Sequence, residues 1–107
     1  VNYVGLETNP YHALALRQFG PPAGAMFTID LASKEACFRF LNRLQLVHRA
    51  TNLFDSRTLA IHPASTIFGN FPEAQLNEMD VRQTTIRLSI GLEDKEDILA
   101  DIKQALA

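Results

Sequence analysis

Along this chain the spacing of apolar residues switches repeatedly between the period of a helix and the period of a strand, and that switching restricts the fold more than any other feature. In Ala25–Leu31, Phe27, Ile29 and Leu31 alternate with Met26, Thr28 and Asp30, the pattern of a strand with one buried face. Behind Ser33, a capping residue, Cys37, Phe40, Leu41 and Leu44 recur at i, i+3, i+4 and i+7 while Lys34, Arg39 and Arg43 face away, which predicts a helix with one wet side. Thr85–Ile90 returns to the strand period with β-branched residues. Behind Asp94, with Asp97 at the third position, Ile98, Leu99, Ile102, Ala105 and Leu106 fall on one helical stripe.

Punctuation supplies the rest. Asn9 is placed to cap a helix over Pro10–Phe19, because proline at the first position has no N–H to lose, and Gly20 followed by Pro21-Pro22 stops it. Val47–Thr51 and Arg57–Ile61 read as short strands around an Asn-Leu-Phe-Asp-Ser turn, the second ended by His62-Pro63. Pro72–Met79 is a short helix, and Gly91 breaks the pattern before the last one. The order α-β-α-β-β-α-β-α predicts an α+β two-layer sandwich: one mostly antiparallel sheet with its helices on one face. The other face is left to take a partner.

The 107 residues suffice for one domain, 1–107, with a modest core and no room for a second. No stretch approaches the ~20 consecutive apolar residues of a membrane helix, so no membrane partner is expected. The chain opens on Val1 without a signal-like segment, which suggests a cut edge of something longer. A single cysteine, Cys37, excludes an internal disulfide framework and suits a buried thiol in a reducing, cytoplasmic setting. The net charge is −2, and the seven arginines and three lysines are scattered, so nucleic acid is not an expected partner. Five carboxylates against two lysines between Glu93 and Lys103 read as a solvated helix face.

Few residues invite chemistry. His12, His48 and His62 sit on separate elements without ligand spacing, so no metal site is expected. Cys37 lies on an apolar stripe rather than in an electropositive pocket. The prolines of Gly20-Pro-Pro-Ala-Gly24 remove the N–H groups that a phosphate cradle uses. Lys34, Lys95 and Lys103 fall in helices beside Glu35, Glu96 or Asp101, as surface ion-pairing lysines do. Arg87 stands apart: in the middle of Ile86-Arg87-Leu88-Ser89-Ile90 it shares a face with Ser89, and a guanidinium there needs either a carboxylate, with Asp80 or Glu93 as candidates, or a ligand.

The segment Thr58–Leu106, T-L-A-I-H-P-A-S-T followed by I-R-L-S-I-G-L-E-D-K-E-D-I-L-A-D-I-K-Q-A-L, closely resembles the C-terminal domain of the Cys/Met-metabolism pyridoxal-phosphate enzymes. These include homoserine-ester sulfhydrylases, cystathionine synthases and lyases, and methionine gamma-lyase. The stretch from Val1-Asn2-Tyr3-Val4-Gly5-Leu6 through Asn9-Pro10-Tyr11-His12 to Phe19 is similar to the family's approach to that domain. The resemblance implies the small C-terminal domain of pyridoxal-phosphate fold type I. A larger preceding domain, absent from this chain, would supply the phosphate cup and the lysine that carries pyridoxal phosphate, so this fragment is expected to bind no cofactor and to contain no catalytic residue.

By the same resemblance Arg87 matches the arginine that grips the substrate α-carboxylate. Asn52-Leu53-Phe54-Asp55 matches the family's S-L-G-D turn, making Asn52 and Leu53 substrate-binding candidates. Phe54 stands where the family has glycine, a change expected to reshape the turn or narrow the pocket. His62-Pro63-Ala64-Ser65 is retained, with Ile67 and Phe68 replacing the threonine and histidine that often come next. His62 and Ser65 are expected to end the strand and cap the next turn, and Asp55 to brace its own. The I-H-P-A-S-T-I-F form is most like the sulfhydrylases of O-acetyl- or O-succinylhomoserine, whose γ-replacement joins an activated homoserine ester to sulfide or a thiol. The alternatives are a cystathionine or methionine lyase, and a stand-alone binding or assembly module that keeps the fold without the chemistry. The expected partners are the missing N-terminal domain, a small amino-acid substrate, and further copies in a homo-oligomeric parent.

Overall fold

A computed structural model describes residues 1–21 and 24–107. In chain order the elements are helix α1 (His12–Phe19), strand β1 (Met26–Asp30), helix α2 (Lys34–Arg43), strands β2 (His48–Arg49) and β3 (Leu59–Ile61), a 3₁₀ turn at Pro63–Ser65, helix α3 (Glu73–Glu78), strand β4 (Thr85–Ser89) and helix α4 (Lys95–Leu106). The order is the expected one with the 3₁₀ turn added. The four strands form one sheet in the order β1-β4-β3-β2, antiparallel at β1–β4 and β3–β4 and parallel at β2–β3.

Register sorts the side chains into two faces. Phe27 lies opposite Leu88, Ile29 opposite Ile86, and Ala60 opposite Leu88, so these residues share one face. Cys37, Phe40 and Leu41 of α2 and Ala105 of α4 close over it to make the core. The alternation in β1 thus runs as its sequence period demands. Cys37 is fully buried; burial pushes its thiol pKa up, and its Sγ sits 3.2 Å from the Thr84 carbonyl. The opposite face carries Met26, Thr28, Arg87, Ser89, Leu59 and Ile61.

The departures from expectation have local causes. Asn9 does not cap α1: its Oδ1 accepts from the Tyr11 N–H two residues on (2.9 Å) and its amide donates to Asn2 (2.8 Å), so the helix begins at His12 with Tyr11 as its cap residue. Pro22, part of the stop expected for that helix, and Ala23 lie outside the described residues. Ser33 caps α2 as expected, accepting from the Ala36 N–H at 3.1 Å. The strands of Val47–Thr51 and Arg57–Ile61 are cut short because two of their donors are taken by side chains, Val47 N–H by Asp101 (2.8 Å) and Thr58 N–H by Glu93 (2.8 Å). They pair in parallel, not as a hairpin.

In α4 the apolar stripe is only half right. Leu99 and Leu106 are each 53% exposed, while Asp101 is buried between Ile98 and Ala105. Of the expected lysine pairs, Lys95 lies 3.7 Å from Glu96, but Lys34 sits over the Phe38 ring, and Asp101 is committed elsewhere.

Candidate functional site

Strand β4 places Arg87 and Ser89 on the sheet face opposite α2 and α4, with Thr28 beside Arg87 on β1 and Ile61 on β3. The connection from β2 to β3 is fastened to both. Arg87 Nη2 donates to the Thr51 carbonyl at 2.9 Å, and the Phe54 N–H donates to Ser89 Oγ at 3.0 Å. Asp55 braces the same turn: its Oδ1 accepts from the Arg57 N–H (2.9 Å) and Nε (3.3 Å), and these bonds, the backbone one foremost, hold its carboxyl below the usual carboxylate range. Asn52 and Leu53 lie exposed between the two fastenings. Phe54 takes φ +52°, keeping a left-handed backbone at the position where glycine would be the unstrained choice, and its ring is 70% exposed.

No carboxylate among the described residues reaches Arg87. Neither expected partner does so: Asp80 lies 3.7 Å from Arg82, and Glu93 accepts from the Thr58 N–H and hydroxyl. Asp30, on the same face of β1, is held by Arg82 (3.2 Å) and by the Thr85 hydroxyl (2.6 Å). Arg87 is partly buried, and the loss of solvent pulls its pKa below the ordinary guanidinium value, although the group remains a cation. It lines a cleft of about 350 Å³ together with Asn2, Thr28, Asp30, Pro63, Phe68 and Thr85. A partly desolvated guanidinium with one carbonyl partner and donors to spare suits a carboxylate presented from that cleft. A second, larger cleft of about 560 Å³, lined by Val1, Tyr3, Leu6, Phe27, Ile90 and Leu92, has among the described residues no titratable side chain beyond a tyrosine.

Two of the three histidines are engaged elsewhere. His62 is buried; its Nε2 lies 2.7 Å from the Gln83 carbonyl, which can only accept, so Nε2 donates there, while Nδ1 pairs with the Ser65 hydroxyl at 2.7 Å. Its own carbonyl takes the Thr66 hydroxyl at 2.8 Å, so the residue ends β3 and ties down the 3₁₀ turn. His12 Nδ1 meets the Val4 carbonyl at 2.8 Å, and among the described residues no three His, Cys, Asp or Glu side chains converge as metal ligands.

Sequence reasoning placed Ser89 on the face of Arg87 but missed that it anchors Phe54, and it missed the Thr51 carbonyl altogether. A backbone acceptor leaves no mark in side-chain identity. The shared face of Arg87 and Ser89 was the available signal.

A model of the Cys/Met metabolism PLP-dependent enzyme family matches residues 1–107. The chain belongs to this family. It is 43% identical over its whole length to O-acetyl-L-homoserine sulfhydrylase 1 of Thermus thermophilus, of which it spans 26%. It is 39% identical to the L-methionine gamma-lyase of Pseudomonas putida, covering 99% of this chain and 27% of that one. Among solved structures, a Campylobacter jejuni protein assigned as an O-acetylhomoserine (thiol)-lyase superposes with a TM-score of 0.91 at 39% identity, over 97% of this chain and 25% of its own. The chain thus spans about a quarter of the length of the relatives it matches.

The Campylobacter structure carries an N'-pyridoxyl-lysine-5'-monophosphate at position 205 of its own chain, outside the stretch matched here. The residues of the present chain do not fit the anchoring of that cofactor. Its three lysines are exposed on helices, two of them against Phe38 and Glu96, and none is a desolvated amine. What the chain does expose is the partly buried Arg87 guanidinium, bonded to the Thr51 carbonyl and lining a cleft.

Proposed function

We propose that this chain is the C-terminal, carboxylate-binding domain of a PLP-dependent sulfur amino acid enzyme, a γ-replacing O-acetyl- or O-succinylhomoserine sulfhydrylase. The observation that carries the reading is Arg87, partly buried, facing a cleft, bonded to the Thr51 carbonyl and to no carboxylate among the described residues. In this reading the guanidinium takes both oxygens of the substrate α-carboxylate. A planar fork with two parallel donors fixes the carboxylate plane, and with it the direction of the rest of the amino acid. The turn carrying Asn52 and Leu53 closes the site beside it and keeps water away from the ion pair. Pyridoxal phosphate, when bound, supplies electron withdrawal from the amino acid; it belongs to the remainder of the parent protein. The 107-residue chain alone is then catalytically silent.

Arg87→Ala in the full-length protein is expected to raise KM for the amino acid on the order of a hundredfold, equivalent to about 3 kcal/mol, with the fold retained. Steady-state kinetics with circular dichroism of the same sample tests this, and unchanged KM would sink the carboxylate assignment. The 39% identity to a methionine gamma-lyase supports a second reading, elimination. Products separate the two: a thioether or homocysteine from O-acetyl-L-homoserine, against ammonia and a keto acid from methionine or cystathionine.

A further inference from the structure

We propose that Ser89 is a positioning residue for Arg87: by accepting the Phe54 N–H it holds the turn over Arg87, and the Thr51 carbonyl of that turn sets the direction in which the guanidinium presents its free donors. The proposal rests on the carboxylate reading of Arg87. Three observations combine to carry it. Ser89 is 1% exposed, so water does not compete for its hydroxyl. It shares a sheet face with Arg87 two residues away, and the turn is bonded to both by backbone atoms, through Thr51 O and Phe54 N. The Phe54 backbone sits at φ +52° while its ring points out, so the amide and not the side chain anchors the turn, and the strained backbone is held by its bond to Ser89.

The consequence is directional. A guanidinium is a rigid plane, and once one Nη hydrogen is committed to a fixed carbonyl the remaining donors point along fixed lines. If the carbonyl is released, the arginine keeps its charge and loses its aim. Ser89 touches no substrate in this scheme and acts through Arg87.

The test is a double-substitution cycle in the full-length, cofactor-loaded protein. Ser89→Cys is close to isosteric and sulfur is a weak acceptor, so the anchor is lost without opening a cavity. KM is read for whichever of O-acetyl-L-homoserine and L-methionine the protein turns over, and protection of the Phe54 amide is read separately by hydrogen exchange. Ser89→Cys is expected to raise KM about tenfold with kcat within about twofold, and to lower Phe54 protection about tenfold. Added to Arg87→Ala, it is expected to change KM by less than about twofold, because its effect passes through the absent guanidinium. Independent, additive effects on KM would overturn the proposal, as would an unchanged KM beside a large effect of Arg87→Ala. If Arg87→Ala leaves KM unmoved, the carboxylate reading itself falls, and Phe54 exchange still reports whether Ser89 anchors the turn.

Discussion

At the scale of single residues, Asp101 and Glu93 are two carboxylates whose environments bear on how the fold responds to acid. Asp101 is 6% exposed and accepts from three successive backbone amides, Gln45 (2.9 Å), Leu46 (2.8 Å) and Val47 (2.8 Å), and from the Gln104 side chain. Burial alone would push its pKa up; the amides of Val47, Gln45 and Leu46 with Gln104 outweigh that and bring it below the ordinary value. Glu93 shows the same balance, desolvation opposed by the hydroxyl and N–H of Thr58. Both pKa values are depressed in the folded state, so the stability these groups contribute is complete above the unfolded carboxyl pKa of about 4 and is lost as pH falls through the lower folded values. Urea unfolding is therefore expected to give a flat stability from about pH 5 to 7 and a decline below about pH 4. Asp101→Asn, whose single carbonyl cannot serve three amides, should cost about 2 kcal/mol at pH 7 and flatten that acid slope. An unchanged slope would remove Asp101 from the account.

At the scale of elements, the join between β4 and α4 depends on Gly91. A Cβ there would come within 2.4 Å of Ser56 O and Arg57 C and 2.6 Å of Thr58 N, all backbone atoms with no side chain to yield, while the Gly91 N–H donates to the Thr58 hydroxyl at 2.9 Å. The expected pattern break is in fact a close approach of two chain segments. Gly91→Ala is expected to destabilise by about 3 kcal/mol or more, measured as a shift of the urea midpoint, because the β4–α4 join must move off the 56–58 backbone. Element types were legible because period and capping are local: Ser33 caps α2, and Phe27 and Ile29 of β1 face the core. Element ends were not. Asn9 spends its side chain on Tyr11 and Asn2, and β2 and β3 lose donors to Asp101 and Glu93, partners 35 or more residues away in sequence.

At the scale of the whole molecule, apolar surface is left uncovered in the isolated chain. Val1, Leu6 and Leu92, the last 86% exposed, stand around the larger cleft, and Tyr11, Leu14, Leu16 and Phe19 are exposed on and beside α1. In the reading proposed above, these are the surfaces that meet the remainder of the protein. The isolated chain is expected to self-associate at tens of micromolar in sedimentation velocity, and Leu92→Glu with Phe19→Glu to shift it toward monomer. A monomer at high concentration would show that this surface is not adhesive. What the sequence determined by itself was whatever is written in short-range spacing: the α+β order, the helix and strand faces, the buried thiol, and Arg87 as the singular charge of the best strand. Tertiary structure alone decided that Arg87 meets a backbone carbonyl and, among the described residues, no carboxylate, that Ser89 anchors the turn, and that Asp101 lies inside. The reason is physical: backbone donors and acceptors are the same at every residue, so which of them a side chain meets depends on how distant segments pack and leaves no imprint on local pattern.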